Sequence, residues 1–253
     1  MLGLVEFVGK VNRFSWRAVV DAWRRPFELS QIVTQIVEIG AKSLPLVIAS
    51  GFALGMVMTL HTRSTLVMFG AVALIPTVQA LAFFVEIGPL VAALLVAGRA
   101  GSGIGAVLAN MRATEQIDGI ESLSIDSFKF LVVPRIIASV ISLPLLTLFM
   151  DFSGLIGGFL SEKVASGISL QLYLSRAFMN MEWSNFVAPT VKTAVFGFII
   201  GAVSSYYGYT TNEGARGVGK AATNSVVVSS LLIILADVFL VKCIFFIFPE
   251  NAL

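Results

Sequence analysis

The sequence predicts an all-α integral membrane protein, and three observations carry that prediction. Of its 253 residues 57% are hydrophobic and only 13% charged, whereas soluble domains carry about 25% charged residues. The mean hydropathy is +0.91. The apolar residues also gather in charge-poor runs, and about 20 such residues in a helix cross the hydrocarbon core of a bilayer. The same composition excludes other classes. A formal net charge of +2 is too small for nucleic-acid binding. The single cysteine, Cys243, rules out an intramolecular disulfide or a cysteine metal cluster, and the lone His61 cannot form a histidine site. The opening MLGLVEFVGKVNRFSWR has no uninterrupted apolar stretch and no small-residue cleavage signal, so it does not read as a signal peptide.

Residues 1–30 form the first element. Leu4, Val8, Val11, Val19, Trp23 and Phe27 recur near helical spacing, with Lys10, Arg13, Arg17, Arg24 and Arg25 among the intervening positions. Basic residues combined with Trp16 and Trp23 suit an amphipathic helix lying in the headgroup region; the alternative is a solvated tail. Pro26 is expected to end or kink this helix. The apolar run that starts near Leu44 continues, past the polar patch HTRST at 61–65, as far as Gly98. It is too long for one crossing. It predicts a hairpin of two spans, 43–69 and 77–105, with Pro76 near the turn. Residues 109–125 are polar, helix-compatible and too charged to cross lipid. A third span covers 128–157, a mixed extramembrane segment with Glu162, Lys163, Arg176 and Glu182 follows at 160–184, and further spans cover 186–209 and 222–248. The count is five. With the N-terminus on the cytoplasmic side, twelve of the seventeen Lys and Arg residues fall in the tail, the 98–135 region and the 210–220 loop, which favours that orientation and a C-terminus on the opposite face.

Two stretches imitate nucleotide sites. GARGVGKA at 214–221 matches G-x-x-x-x-G-K-[ST] except that Ala221 replaces the hydroxyl residue that would ligate Mg²⁺. No hydrophobic strand precedes it, so it reads as a tight cytoplasmic turn. GSGIGA at 101–106 satisfies G-x-G-x-x-[GA] without a βαβ context. Its glycines, like the pairs Gly51/Gly55, Gly101/Gly105 and Gly197/Gly201, have the G-x-x-x-G spacing that lets membrane helices approach closely.

Charges inside apolar runs are the candidate functional residues. Each costs roughly 2.5–3.5 kcal/mol at mid-membrane on insertion scales. Glu86 interrupts AFFV-E-IGPL, and Lys192 lies in APTVKTAVFGF. One reading has them line a polar substrate cavity as partners, with Lys192 attracting an anionic headgroup. The other has a structural ion pair, or Lys192 snorkelling to the surface. Asp237 is expected to bond to a neighbouring helix, Asp151 to sit at the interface, and His61 and Arg63 near the outer rim. No span carries a Ser/His/Asp set or a carboxylate pair at i, i+3 or i+4, which argues against an intramembrane protease or lipid-modifying enzyme.

The stretch EIGPLVAALLVAGRAGSGIGAVLANMRATEQIDGIE, residues 86–121, together with PRIIASVISLPLL at 134–146 and GARGVGKAAT at 214–223, resembles the MlaE-type (YrbE-like) permease family. These are the membrane subunits of ABC transporters that move phospholipids between membranes. The resemblance spans residues 40–250. It implies a permease domain over that stretch, a homodimer, an interfacial N-terminal helix and five spans. It also implies cytoplasmic ATPase subunits, an MCE-domain substrate-binding protein acting as a hexamer, and a STAS-domain accessory subunit on the ATPase. Segment 109–125 corresponds to the family's coupling helix, with Glu115, Gln116 and Asp118 at the positions that touch the ATPase. Glu86 and Lys192 fall on polar positions along the family's lipid cavity. Where the family often has Arg before the Glu of E-L-G-P, this chain has Val85. The resemblance further implies a bacterial inner-membrane location, with the C-terminus periplasmic, and a part in outer-membrane lipid asymmetry. It requires no cofactor, no resident metal and no catalytic residue on this chain. The rival reading is an ion-coupled secondary transporter with Glu86 as proton relay; internal repeats, common in such folds, are absent from the sequence.

Overall fold

The computed structural model describes residues 2–24, 28–179 and 181–247, and among these every regular element is helical. The chain is an all-α membrane protein. Among the described residues five helical stretches are long and apolar enough to cross a bilayer: Leu29–Met68, Val72–Ala113, Ser127–Ser166, Ser184–Tyr209 and Gly214–Ile244. The predicted count of five therefore stands. Several boundaries differ, each for a physical reason.

Helix α1 (Leu2–Ala22) stops short of residue 30; Pro26, expected to end it, lies outside the described residues. Helix α2 (Leu29–Ile39) occupies a stretch where no element was predicted. Ile32, Ile36 and Ile39 repeat with helical spacing there, but the run is too short to stand out as a span. A short 3-10 turn at Ala41–Ser43 leads into α3 (Leu44–Met68). The hairpin reversal comes at residues 69–71 rather than near Pro76. Gly70 takes φ +68, a left-handed conformation that costs glycine little. Pro76 instead occupies the first turn of α4 (Ile75–Ala82), where no backbone N–H is required.

From Val72 to Ala113 the helix is continuous but not uniform. Two π-helical segments, Phe83–Ile87 and Ala97–Gly101, flank α5 (Gly88–Val96), and α6 (Ser102–Ala113) follows. The predicted 109–125 helix is thus split. Its first residues finish α6, and a separate α7 (Gln116–Ser122) stands between two left-handed residues, Glu115 at φ 57 and Ser124 at φ 60. Helix α8 (Ser127–Ser166) continues nine residues past the predicted end at 157. At about 1.5 Å per residue its forty residues reach roughly 60 Å, twice the hydrocarbon thickness. It brings Glu162, assigned to an extramembrane segment, into a buried position facing Arg63 (Nη1–Oε1 2.5 Å). Helix α9 (Leu170–Phe178) is capped by the Ser169 hydroxyl, which accepts from the Leu172 N–H. Helix α10 (Ser184–Tyr209) contains Pro189, and α11 runs Gly214–Ile247. The GARGVGKA stretch is therefore the first two turns of α11, not a turn between helices; the reversal lies at 210–213.

The chain gathers into two compact units, each drawn from three stretches of sequence. The first comprises Met1–Ser43, Ala93–Leu143 and Ala194–Ala236. Its core packs Ala18 against Phe128, Val132, Ile136 and Ala202, with Phe14 edge-on to Phe128 at 4.9 Å between ring centroids. Gly197 and Gly201 lie against α8 at Ser139 and Ile136, and Gly105 lies against Ser225 of α11. The second unit comprises Leu44–Ala92, Pro144–Thr193 and Asp237–Leu253. Ala80, Phe84, Leu155, Tyr173 and Ala177 form its core. Gly51 and Gly55 press α3 onto α8, where Gly55 meets the backbone of Gly154. All three G-x-x-x-G pairs thus lie where helices touch, as their spacing predicts.

Candidate functional site

The candidate site is built in the second unit, from three charged side chains that the sequence scatters over 150 residues. Glu86 lies in the π-helical turn Phe83–Ile87. A π-turn inserts an extra residue into a helix and re-aims the side chains around it, and such turns concentrate at functional sites. Lys192 comes from α10 and Asp237 from α11. The Lys192 ammonium donates to Glu86 Oε2 at 2.7 Å and stands 3.0 Å from Asp237 Oδ1. The second contact lacks hydrogen-bond geometry and acts as an ion pair.

Exposure distinguishes the three. The Lys192 side chain is 2% exposed and that of Asp237 8%, while the Glu86 side chain is 39% exposed. Lys192 does not snorkel to a surface; it lies beneath Glu86. Two carboxylates share one ammonium, so the cluster carries an excess negative charge when all three ionise. Removing the lysine would leave the buried Asp237 without its counter-charge, the kind of loss that costs about 3–5 kcal/mol in buried pairs. Asp237, expected to bond to a neighbouring helix, does so: its partner is Lys192 of α10, and the contact makes it the third member of the cluster. Its position 45 residues beyond Lys192, with no local motif, offered no signal to assign it there.

The same unit holds another buried acid. Asp151 in α8 is fully buried, neither carboxyl oxygen has a hydrogen-bond partner among the described residues, and a Cβ placed on Gly88 would collide with Oδ1. It is enclosed by the surrounding helices, with no side-chain exposure to solvent. The buried Gln79 amide, by contrast, is satisfied: it donates to the Gly55 carbonyl at 3.0 Å and accepts from the Thr59 hydroxyl.

The predicted coupling residues belong to the first unit. Glu115, Gln116 and Asp118 are all exposed, while Ile117 points inward and is fully buried, pinning α7 to the unit. Asp118 is held by Arg112 at 2.8 Å. Leu123, just past α7, is 72% exposed; sequence reading passed over it because a single Leu at a helix end has no pattern.

Neither imitation of a nucleotide site has phosphate-loop geometry: residues 102–106 and 214–220 are helical rather than looped, and no strand precedes either among the described residues.

Comparison with known proteins is consistent with this architecture. The family profile described as "Permease MlaE" matches residues 32–243. A "Probable ABC transporter permease protein" of Rickettsia bellii is 40% identical over 96% of this chain and 93% of its own length. The chloroplastic protein TRIGALACTOSYLDIACYLGLYCEROL 1 of Arabidopsis thaliana is 35% identical over 84% of this chain and 60% of its own length. The "Intermembrane phospholipid transport system permease protein MlaE" of Haemophilus influenzae is 31% identical over 88% of this chain and 85% of its own length.

Proposed function

The chain belongs to the MlaE permease family, and from that premise we propose that it is the membrane subunit of an ABC transporter carrying phospholipids between the inner and outer membranes. Its work is a shift between cavity states, driven by ATP hydrolysed on a separate subunit docked at Glu115, Gln116 and Asp118. The lipid is held in a cavity at the interface of two permease copies, where Glu86 and Lys192 meet the headgroup. An MCE-domain hexamer receives or delivers the lipid, and a STAS-domain subunit sits on the ATPase. The protein resides in the inner membrane with its N-terminus cytoplasmic.

The three-charge cluster is the observation that supports the residue assignment. It places a desolvated ammonium behind a half-exposed carboxylate within apolar helices. A lipid phosphate that turns Glu86 aside gains the Lys192 ammonium as its partner, and the zwitterion's own cation can stay with the carboxylate. A desolvated charge exchange of this kind discriminates headgroups from bare acyl chains.

The surplus carboxylate of the cluster favours one rival, proton-coupled transport by the permease alone. Affinity purification separates the two. The ABC reading requires an ATPase to co-purify, and requires lipid recovered per folded permease to fall about tenfold or more in Lys192→Ala, corresponding to about 1.4 kcal/mol of lost binding. Lys192→Arg, checked for identical elution, keeps a cation and controls for unfolding. Transport by the lone chain in proteoliposomes under a proton gradient, or unchanged lipid recovery in Lys192→Ala, would overturn it.

A further inference from the structure

The first unit contains a groove of about 420 Å³ bounded by α2, residues 99–107 and α8. That is large enough for a small ligand or a lipid headgroup. Two guanidinium groups line it. Arg99 lies in the π-helical segment Ala97–Gly101 and donates through one nitrogen, Nη1, to the Glu38 carbonyl at 3.2 Å and the Ser43 hydroxyl at 2.9 Å. Arg135 lies in α8 and is only 8% exposed; among the described residues its one acceptor is the carbonyl of Leu131 one turn back. Among the described residues neither arginine forms an ion pair with a carboxylate. The groove's own acid, Glu38, is paired with Lys42 through its side chain and offers Arg99 only a backbone carbonyl. The remaining wall combines polar Thr34 and Gln35 with apolar Ile104 and Val107.

A buried guanidinium with no acid is expensive, because its desolvation is offset by a single carbonyl. Its planar donors match a phosphate bidentately. Arg135 stands eight residues into α8, about 12 Å from the helix start, a depth suited to a headgroup rather than to mid-bilayer. The mixed wall suits a molecule that is anionic at one end and apolar at the other. We propose that this groove binds the phosphate of an anionic lipid through Arg99 and Arg135, as a resident lipid that ties α2 to the unit rather than as transported cargo. The groove shares no residue with the Glu86–Lys192–Asp237 cluster, and the proposal does not depend on the cargo being a phospholipid.

Gly103 provides a clean test. It is exposed, lines the groove, and a Cβ there meets nothing within 4 Å. Gly103→Glu therefore supplies an internal anion without displacing a neighbour, and it replaces a helix-weakening glycine. The detergent-purified full-length permease, with whatever subunits accompany it, is titrated with dioleoylphosphatidylglycerol, dioleoylphosphatidylcholine or inorganic phosphate. Retained lipid is counted by native mass spectrometry. The expected result is preferential retention of phosphatidylglycerol, falling about tenfold in Arg99→Gln and in Gly103→Glu while elution and helicity stay as in the parent. Arg99→Lys retains part of the preference. Equal retention of the two lipids, or a preference unchanged in both groove variants, would overturn the proposal. So would displacement of the lipid by millimolar phosphate, which would mark a free-anion site. Loss of accompanying subunits in the groove variants with lipid retention unchanged would mark a protein carboxylate as the true occupant and equally overturn it.

Discussion

At the scale of single residues, the folded chain is governed by how it accommodates charge without water. Glu86 and Lys192 were legible as candidates because an ionisable group in an apolar run is costly and therefore conspicuous. Their separation of 106 residues and their 2.7 Å contact were not legible, since no local pattern links them. Asp151 presents the opposite case: it was noticed, but its complete burial against Gly88 was not foreseen. This contact makes a prediction. Gly88→Ala drives a methyl into the Asp151 carboxyl and should destabilise the purified permease by about 1–3 kcal/mol, the usual cost of overpacking, seen as a lowered thermal midpoint. Asp151→Ala removes the obstacle, so the double variant should lose clearly less than the sum of the singles. Strict additivity would show that the two side chains do not compete for the same space.

At the scale of elements, helix ends and irregularities carry the functional geometry. Both π-helical segments present a charged residue, Glu86 in one and Arg99 in the other. A π-turn depends on tertiary packing and has no compositional signature, so the sequence could not announce it. Helix α7 owes its separate identity to the left-handed residues Glu115 and Ser124 on either side, an unusual conformation for residues with a side chain. Ile117 anchors one face; among the described residues Glu115 forms no ion pair, while Asp118 is engaged by Arg112. The docking test is therefore sharpest at Glu115 and Leu123. Glu115→Lys with Leu123→Asp should reduce co-purifying ATPase about tenfold or more, the effect of losing one interface hot spot, while the permease still inserts. Asp118→Lys is less decisive because it also breaks an internal ion pair. Undiminished ATPase recovery in the double variant would remove α7 from the docking surface.

At the scale of the whole molecule, five apolar helical stretches and the distribution of Lys and Arg predict which segments face which side. A single-cysteine series tests this directly. In a Cys243→Ser background, Asn212→Cys reports the reversal before α11, and Val164→Cys reports the strongly exposed last turns of α8. A membrane-impermeant maleimide applied to intact cells should label position 164 and leave 212 unmodified until the membrane is opened. The reverse pattern would invert the topology and place α7 away from any cytoplasmic ATPase.

The sequence by itself determined the class, the number of spans and the family. These rest on the amount of apolar surface per stretch and on contiguous motifs, both of which can be read along one dimension. Only the tertiary structure decided where the chain reverses, that GARGVGKA begins a helix, and that Lys192 lies buried between two acids. The physical reason is that these outcomes depend on which helices touch. A glycine at 70 can take the turn that a proline at 76 was expected to mark, and a charge becomes a partner or an orphan according to what packing brings within a few ångströms of it.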